Sequence, residues 1–170
     1  MSIFTSSEST LQVTILVLPE SSMLVLASMI DPMRAANRLS ESQCFTWKIV
    51  TIDGLPVECT CGLQITADGK LESINDGNLL FIVSGFKQFE YISSDEIGLI
   101  RRFSLKFDAM GGVDSGAWIL GKAGLLDGKS ATTHWEDLED FADYFRQLRF
   151  NRTVSLLIKM LLQLVEHRLP

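Results

Sequence analysis

Residues 106–135 constrain the fold of this chain more than any other stretch. They begin as an apolar segment, pass through Gly111-Gly112-Val113-Asp114-Ser115-Gly116, and continue with small and apolar residues at helical spacing to about Leu125. Glycines in such a run let the backbone turn sharply or approach another element closely. The pattern predicts a strand that passes through a tight elbow into a helix, with Asp114 at the tip.

The tip of such an elbow is a chemically distinctive position. It presents one side chain beside the free N–H groups that begin a helix, and these groups attract negative charge. In hydrolases with a Gly-x-Ser-x-Gly elbow, the tip side chain is the nucleophile. The corresponding pattern in this chain is Gly112-Val113-Asp114-Ser115-Gly116, so a carboxylate takes that place.

The rest of the chain alternates between strand-like and helix-like segments. The sequence predicts strands at 13–18, 45–52 and 79–83, a short hairpin at 57–66, helices at 23–38, 94–105 and 135–147, and a last helix at 154–167. Such alternation is typical of a mostly parallel sheet with helices on both faces. Residues 1–12 are expected to form a flexible tail and residues 13–170 a single domain. The last helix is so apolar that it must be buried in this domain or against a partner subunit.

Composition limits what the chain can bind by itself. Its formal net charge is −6, which argues against direct nucleic-acid binding, because phosphate contacts need clustered Lys and Arg. The sequence has neither a signal-peptide pattern nor an apolar stretch that could span a membrane, so a cytoplasmic protein without membrane contact is expected. Cys44, Cys59 and Cys61 lack metal-site spacing and are expected to be reduced thiols. No metal and no cofactor is expected.

Five runs together carry a resemblance to a known family. They are Gly-Gly-Val-Asp-Ser-Gly-Ala-Trp at 111–118, Ala-Gly-Leu-Leu-Asp-Gly at 123–128, Ala-Thr-Thr-His-Trp-Glu at 131–136, Ile-Leu-Val-Leu-Pro at 15–19 and Asp-Pro-Met-Arg-Ala-Ala-Asn at 31–37. The chain resembles the PfpI-type, class I glutamine amidotransferase-like superfamily. In particular, it is similar to the sensor domain that precedes the DNA-binding domain in one group of AraC-type transcription regulators.

This resemblance carries implications for fold and organisation. The implied fold is α/β and flavodoxin-like, a three-layer sandwich whose mostly parallel sheet has helices on both faces. The implied role of residues 13–170 is that of a ligand-sensing domain that also forms a homodimer. DNA would be contacted only through a helix-turn-helix domain that lies C-terminal to this chain.

The chain departs from the enzymes of the superfamily at two positions. Those enzymes resemble one another in a Cys at the elbow tip, where this chain has Asp114. Many also carry a Glu early in the first helix, at a place that falls near Val25 here. A thiolate nucleophile therefore cannot form at the expected position, although His134 matches the family's histidine.

The candidate ligand-binding residues are expected at the carboxyl ends of the strands and beside the elbow, where open α/β sheets bind ligands. They are Gly85, Phe86, Asp114, Ser115, Trp118, His134 and Trp135. A carboxylate among aromatic rings suits an ammonium group, and a helix N-terminus suits a carboxylate. The expected effector is therefore a small amine or zwitterion, such as an amino acid, arginine or a betaine-like compound, as the resemblance also implies.

Purely structural roles explain some of these residues equally well. Asp114 could cap the helix that follows it, and His134 could be a hydrogen-bonded residue at a helix start. Trp118 and Trp135 could both belong to the core.

Three functions remain open from the sequence. The first is a non-catalytic effector-binding domain of an AraC-type regulator. The second is a PfpI-type hydrolase, amidase or hydratase in which Asp114 replaces the usual Cys. The third is a purely structural or dimerisation module.

Overall fold

The computed structural model describes residues 10–40, 42–87 and 89–150. In chain order, the strands are β1 (Leu11–Val17), β2 (Phe45–Thr51), β3 (Val57–Glu58), β4 (Gln64–Ile65), β5 (Gly69–Lys70), β6 (Gly77–Ser84), β7 (Phe107–Asp114), β8 (Ser130–Ala131) and β9 (Arg149–Phe150). The α-helices are α1 (Met23–Leu39), α2 (Ser94–Phe103), α3 (Gly116–Lys122) and α4 (Leu138–Tyr144), and short 3-10 turns lie at Leu71–Ser73, Ser104–Lys106 and Trp135–Asp137.

A five-stranded sheet forms the middle layer, with the strand order β5-β2-β1-β6-β7. All its described pairs are parallel. The β3–β4 hairpin is antiparallel, and β8 pairs with β9 in parallel. The predicted mostly parallel sheet is therefore confirmed, and the predicted hairpin is present.

The central strand β1 shows why helices cover both faces of this sheet. Val13, Ile15 and Val17 are buried on the face that packs against α1. Leu16 is buried on the opposite face, in one cluster with Ile100 of α2 and residues of α3. Successive strand residues point to opposite faces, so an apolar strand needs a cover on each side. The three-layer flavodoxin-like fold is confirmed.

Two boundaries near the N-terminus differ from the prediction or remain outside the structure. Leu11 and Gln12 were expected in the tail, but they belong to β1, where they pair with Phe45 and Thr46 of β2. The rest of the predicted tail, residues 1–9, lies outside the described residues. The same holds for the predicted helix at 154–167.

The C-terminal half contains shorter helices than the sequence predicts. The helix after the elbow ends at Lys122 instead of about Leu125, because Gly124 adopts a positive φ of 69° and turns the chain away. The helix predicted at 135–147 is split into a 3-10 turn and α4. No helix among the described residues is long and apolar enough to cross a membrane.

Candidate functional site

Strand β7 leads straight into the elbow at the carboxyl end of the sheet. The strand continues through both glycines to Asp114. A Cβ atom on Gly111 would lie 2.7 Å from Cε1 of Phe81 on the neighbouring strand. Gly111 therefore serves to let two strands approach closely. The sharp turn of the backbone falls at Asp114.

Asp114 occupies the tip in a left-handed backbone conformation, with φ at 60°. Asp tolerates this region better than most residues with a side chain. Glycines at 112 and 116 flank the tip, and a Cβ at either position would overlap the backbone of Ala117 or Ile82. This strand-to-helix connection is therefore tight, with Asp114 at its tip.

A capping role for Asp114 is not what the structure shows. The N-cap position of α3 is Ser115, one residue further on, and its side chain makes no capping hydrogen bond. Instead, the Ser115 hydroxyl donates to Oδ2 of Asp137 at 2.8 Å. Ser115 is fully buried, so this bond joins the elbow to the segment that follows β8.

The elbow forms one wall of the site, and the loop after β6 forms the second. Ser84 lies opposite Asp114 in the strand register, and the backbone N–H of Ser115 donates to the Ser84 carbonyl at 3.1 Å. A Cβ on Gly85 would overlap the carbonyl oxygen of Glu20, which itself has a positive φ of 61°. Gly85 is thus required for the close contact between this loop and the turn before α1.

Residues 133–137 form the third wall. The hydroxyl of Thr133 donates a hydrogen bond to the Asp114 carbonyl oxygen at 3.4 Å. The carboxylate of Asp137 accepts the hydrogen bond from the Ser115 hydroxyl. Neither Thr133 nor Asp137 was among the residues predicted from the sequence. Asp137 belongs to an acidic run at a helix start, which is usually a solvated face, so only its spacing from His134 could have drawn attention to it.

Burial raises the pKa of the Asp114 carboxyl above its ordinary value of 3.8. His134 lowers this pKa, and so does the hydrogen bond from the backbone N–H of Ser115. The negative charge of Asp137 raises it further. The site therefore holds two neighbouring carboxylates, one of them desolvated. Such a pair favours a ligand that brings positive charge.

Aromatic rings pack against His134, the neighbour whose charge lowers the pKa of Asp114. Phe86 packs edge-on against His134, with ring centroids 5.2 Å apart, and the Trp135 ring centroid lies 5.7 Å from that of His134. Trp135 is 66% exposed and Phe86 is 46% exposed. The alternative in which Trp135 belongs to the core is therefore wrong, because the 3-10 turn at its position directs the ring to solvent, where a ligand can reach it.

Trp118 does not join this group. Its ring is buried and packs against Phe89, Phe141, Tyr144 and Phe145, with centroids 5.1–5.8 Å apart. It is a core residue between α3 and α4, as the structural alternative proposed. Its indole N–H has no hydrogen-bond partner among the described residues.

The contacts of His134 differ from those of a histidine paired with a nucleophile. No hydrogen bond joins Asp114 and His134 within the described residues; Nδ1 of His134 accepts from the backbone N–H of Glu136 at 3.4 Å. Val25, near the family's glutamate position, is half-buried against the core. Among the described residues no three His, Cys, Asp or Glu side chains gather as a metal site.

Comparison with known proteins defines the class of this fold and elbow. The model of the DJ-1/PfpI family matches residues 15–147, and the chain belongs to that family. The match includes the elbow and the segment with His134. The predicted PfpI-type membership is thus confirmed.

The most similar relatives include transcription regulators. HTH-type transcriptional regulator CdhR of Pseudomonas aeruginosa is 35% identical over 133 residues, which cover 78% of this chain and 39% of that protein. HTH-type transcriptional regulator GbdR of the same species is 29% identical over 130 residues, or 76% of this chain and 35% of that protein. The chain therefore spans only about two fifths of the length of these regulators.

A solved structure supports the same fold. The AraC family transcriptional regulator from Pseudomonas putida superposes with a TM-score of 0.78 at 22% identity, and the match covers 93% of this chain and 92% of that chain. At this level of identity the likeness shows the fold. The resemblance to regulator domains that the sequence motifs predicted is confirmed by the two regulators above.

Proposed function

We propose that this chain is a non-catalytic effector-sensing domain of an AraC-type transcription regulator. The elbow would bind a small amine or zwitterion, such as an amino acid, arginine or a betaine-like compound. One observation carries the proposal: the partly desolvated Asp114 carboxylate stands at the tip position of a DJ-1/PfpI elbow, and the rings that pack against the neighbouring His134 remain exposed.

The geometry favours a cation over a neutral ligand. An ammonium group near Asp114 would replace the water that burial removes from this carboxylate, and it would screen the repulsion from Asp137. The faces of Phe86 and Trp135 would add cation–π attraction, which is strongest for groups that shed water easily, such as quaternary amines. The seven-residue helix α3 is short, so the ligand's own carboxylate is assigned no partner.

The absence of a thiol at the tip is the main argument against the hydrolase alternative. A carboxylate nucleophile would need a partner to move protons, and His134 is hydrogen-bonded to the Glu136 backbone instead. The regulators that the chain resembles support the same preference. Contact with DNA would then come from a helix-turn-helix domain C-terminal to this chain, in the cytoplasm.

Thermal unfolding of the chain with matched ligands tests the proposal. Choline, glycine betaine, carnitine, arginine and polyamines are compared with 3,3-dimethylbutan-1-ol, a neutral compound with the shape of choline. A ligand at 100 times its dissociation constant adds about 2.7 kcal/mol. For a domain of this size, such a gain raises Tm by roughly 5–10 °C.

Two variants locate the binding. Asp114→Asn keeps the backbone preference and the shape but removes the charge, so it should abolish the shift. Asp127→Asn changes an exposed carboxylate in the turn after α3 and should keep the shift. A shift that survives in Asp114→Asn, or no shift for any cation, contradicts the proposed site.

Homodimer formation is part of the same proposal. Regulators of this kind act on DNA as symmetric dimers when their half-sites are paired. Sedimentation velocity of the purified chain across a range of concentrations tests this part. A species that stays monomeric with and without the effector contradicts it.

A further inference from the structure

A groove that none of the elbow residues lines lies between α2, α3 and α4. Its volume is about 500 Å³, within the range of small-molecule pockets. Gly98 and Arg101 line it from α2, Lys122 from α3, and Tyr144 and Phe145 from α4 and the residue after it.

The groove lies at the far end of α3 from the elbow. Asp114 precedes this helix and Lys122 is its last residue, so about 10 Å of helix separates the two places. The groove is therefore a separate place from the elbow.

Two cations face this groove without an acidic partner. Among the described residues, the ion pairs involve Arg34, Lys70 and His134, and neither Arg101 nor Lys122 takes part in one. Glu96, five residues before Arg101 on α2, already accepts hydrogen bonds from the backbone N–H and the hydroxyl of Ser93. Arg101 and Lys122 lie on opposite walls of the groove, and together they favour an anion.

Lys122 is held in place by aromatic rings. Its Nζ lies 3.5 Å from the ring centroid of Phe89 and 5.7 Å from that of Tyr144. These contacts fix the ammonium group at the mouth of the groove without neutralising it. A positioned charge of this kind costs less to order when an anion arrives.

The floor of the groove is apolar and partly aromatic. Phe145 is buried and lies across α3 at Gly121, where a Cβ would come within 2.5 Å of its ring. At Gly98, by contrast, a Cβ would meet nothing closer than 3.7 Å, so the wall formed by α2 leaves open space. Apolar walls beneath two cations suit a ligand with an apolar body and an anionic head.

We propose that this groove is a second binding site, which takes a small organic anion whose carboxylate meets Arg101 and Lys122 and whose aromatic or branched body lies on Phe145. The fork of the Arg101 guanidinium can donate two hydrogen bonds to one carboxylate. A second site of opposite charge preference would let one domain respond to two classes of metabolite.

The test uses 2-naphthoate as the anionic probe and 2-naphthylmethanol as its neutral counterpart. Binding to the full chain is followed by NMR, through the amide signals of Gly98 and Gly121. We expect saturable shifts at both glycines with 2-naphthoate, and at least about tenfold weaker binding of the alcohol. No saturable shift at these glycines, or equal binding of both probes, overturns the proposal.

Three variants separate a built site from general attraction to positive charge. Arg101→Glu reverses one groove charge, and Gly98→Leu fills the space without changing charge. Each variant should weaken the binding of 2-naphthoate at least about tenfold. The control is Arg38→Glu, which reverses another exposed arginine in the last turn of a helix, outside the groove. Equal weakening by Arg38→Glu and Arg101→Glu overturns the proposal, as does full binding in Gly98→Leu.

Discussion

The hydroxyl of Ser115 donates a 2.8 Å hydrogen bond to Oδ2 of Asp137, 22 residues further along the chain. Ser115 is fully buried at the elbow, whereas Asp137 ends the 3-10 turn that begins at Trp135. The bond therefore couples the start of α3 to the start of α4. Together with the contact between Thr133 and the Asp114 carbonyl, it closes one side of the candidate site.

Removing this bond should loosen the site without emptying the core. Ser115→Ala deletes only the donor, and we expect it to lower the free energy of unfolding by about 1–2 kcal/mol. Asp137→Asn keeps an acceptor for the hydroxyl and should cost less. Urea unfolding of both variants measures the difference, and an equal loss in the two would show that the bond contributes little.

The raised pKa of Asp114 makes stability depend on pH in a defined direction. Because the folded state binds this proton more tightly than the unfolded state, the contribution is present below the ordinary pKa of 3.8 and is lost as pH rises through the higher folded value. Asp114→Asn has no carboxyl group to ionise, so it does not lose this stability as pH rises. The variant should therefore be more stable than the natural chain near neutral pH.

The advantage of Asp114→Asn should shrink as the pH approaches 3.8, because Asp114 in the natural chain then becomes protonated in the folded state. Denaturant midpoints at several pH values measure it, with Asp127→Asn as the control for a general change in charge. A constant difference at every pH would contradict the assigned cause.

Gly85 should tolerate no side chain. A Cβ would overlap the Glu20 carbonyl, so Gly85→Ala is expected to destabilise the fold by about 1–3 kcal/mol and to disturb the loop that carries Phe86. Gly98→Ala is the matched control, because its Cβ has room inside α2 and should add up to about 1 kcal/mol. Thermal melts of the two variants should therefore shift in opposite directions.

The two tryptophans near the elbow should respond very differently to truncation. Trp118→Ala removes a buried ring from the cluster between α3 and α4 and should cost about 3–5 kcal/mol. Trp135→Ala removes an exposed ring and should change stability by no more than about 0.5 kcal/mol. If the proposed site is correct, Trp135→Ala still weakens binding of the cationic ligand. The same melts, repeated with ligand present, should then show a smaller rise in Tm.

The sequence predicts the scaffold of this domain better than its site. Apolar runs such as 13–18 are short and rich in β-branched residues, which favours a buried parallel strand. The spacing around Asp114 likewise identifies the elbow, because glycines at 112 and 116 permit the close backbone approach that a tight strand-to-helix turn requires. These features depend on residues that are close together in the chain, and such patterns can be recognised from the sequence alone.

The errors of the sequence analysis have a common physical origin. Trp118 and Trp135 both follow helix-like spacing, yet one is buried and the other exposed, because the 3-10 turn before α4 rotates the later ring away from the core. The bond from Ser115 to Asp137 spans 22 residues, and no local pattern encodes it. Long-range pairings of polar side chains depend on how the layers pack.

The left-handed backbone at residue 114 has a consequence for how this position can vary. In a saturation library selected only for folding, survivors at 114 should be enriched in Gly, Asn and Asp, and β-branched residues should be depleted. A second selection for effector response should keep Asp alone. The gap between the two sets of survivors would separate the part of this elbow that geometry dictates from the part that charge dictates.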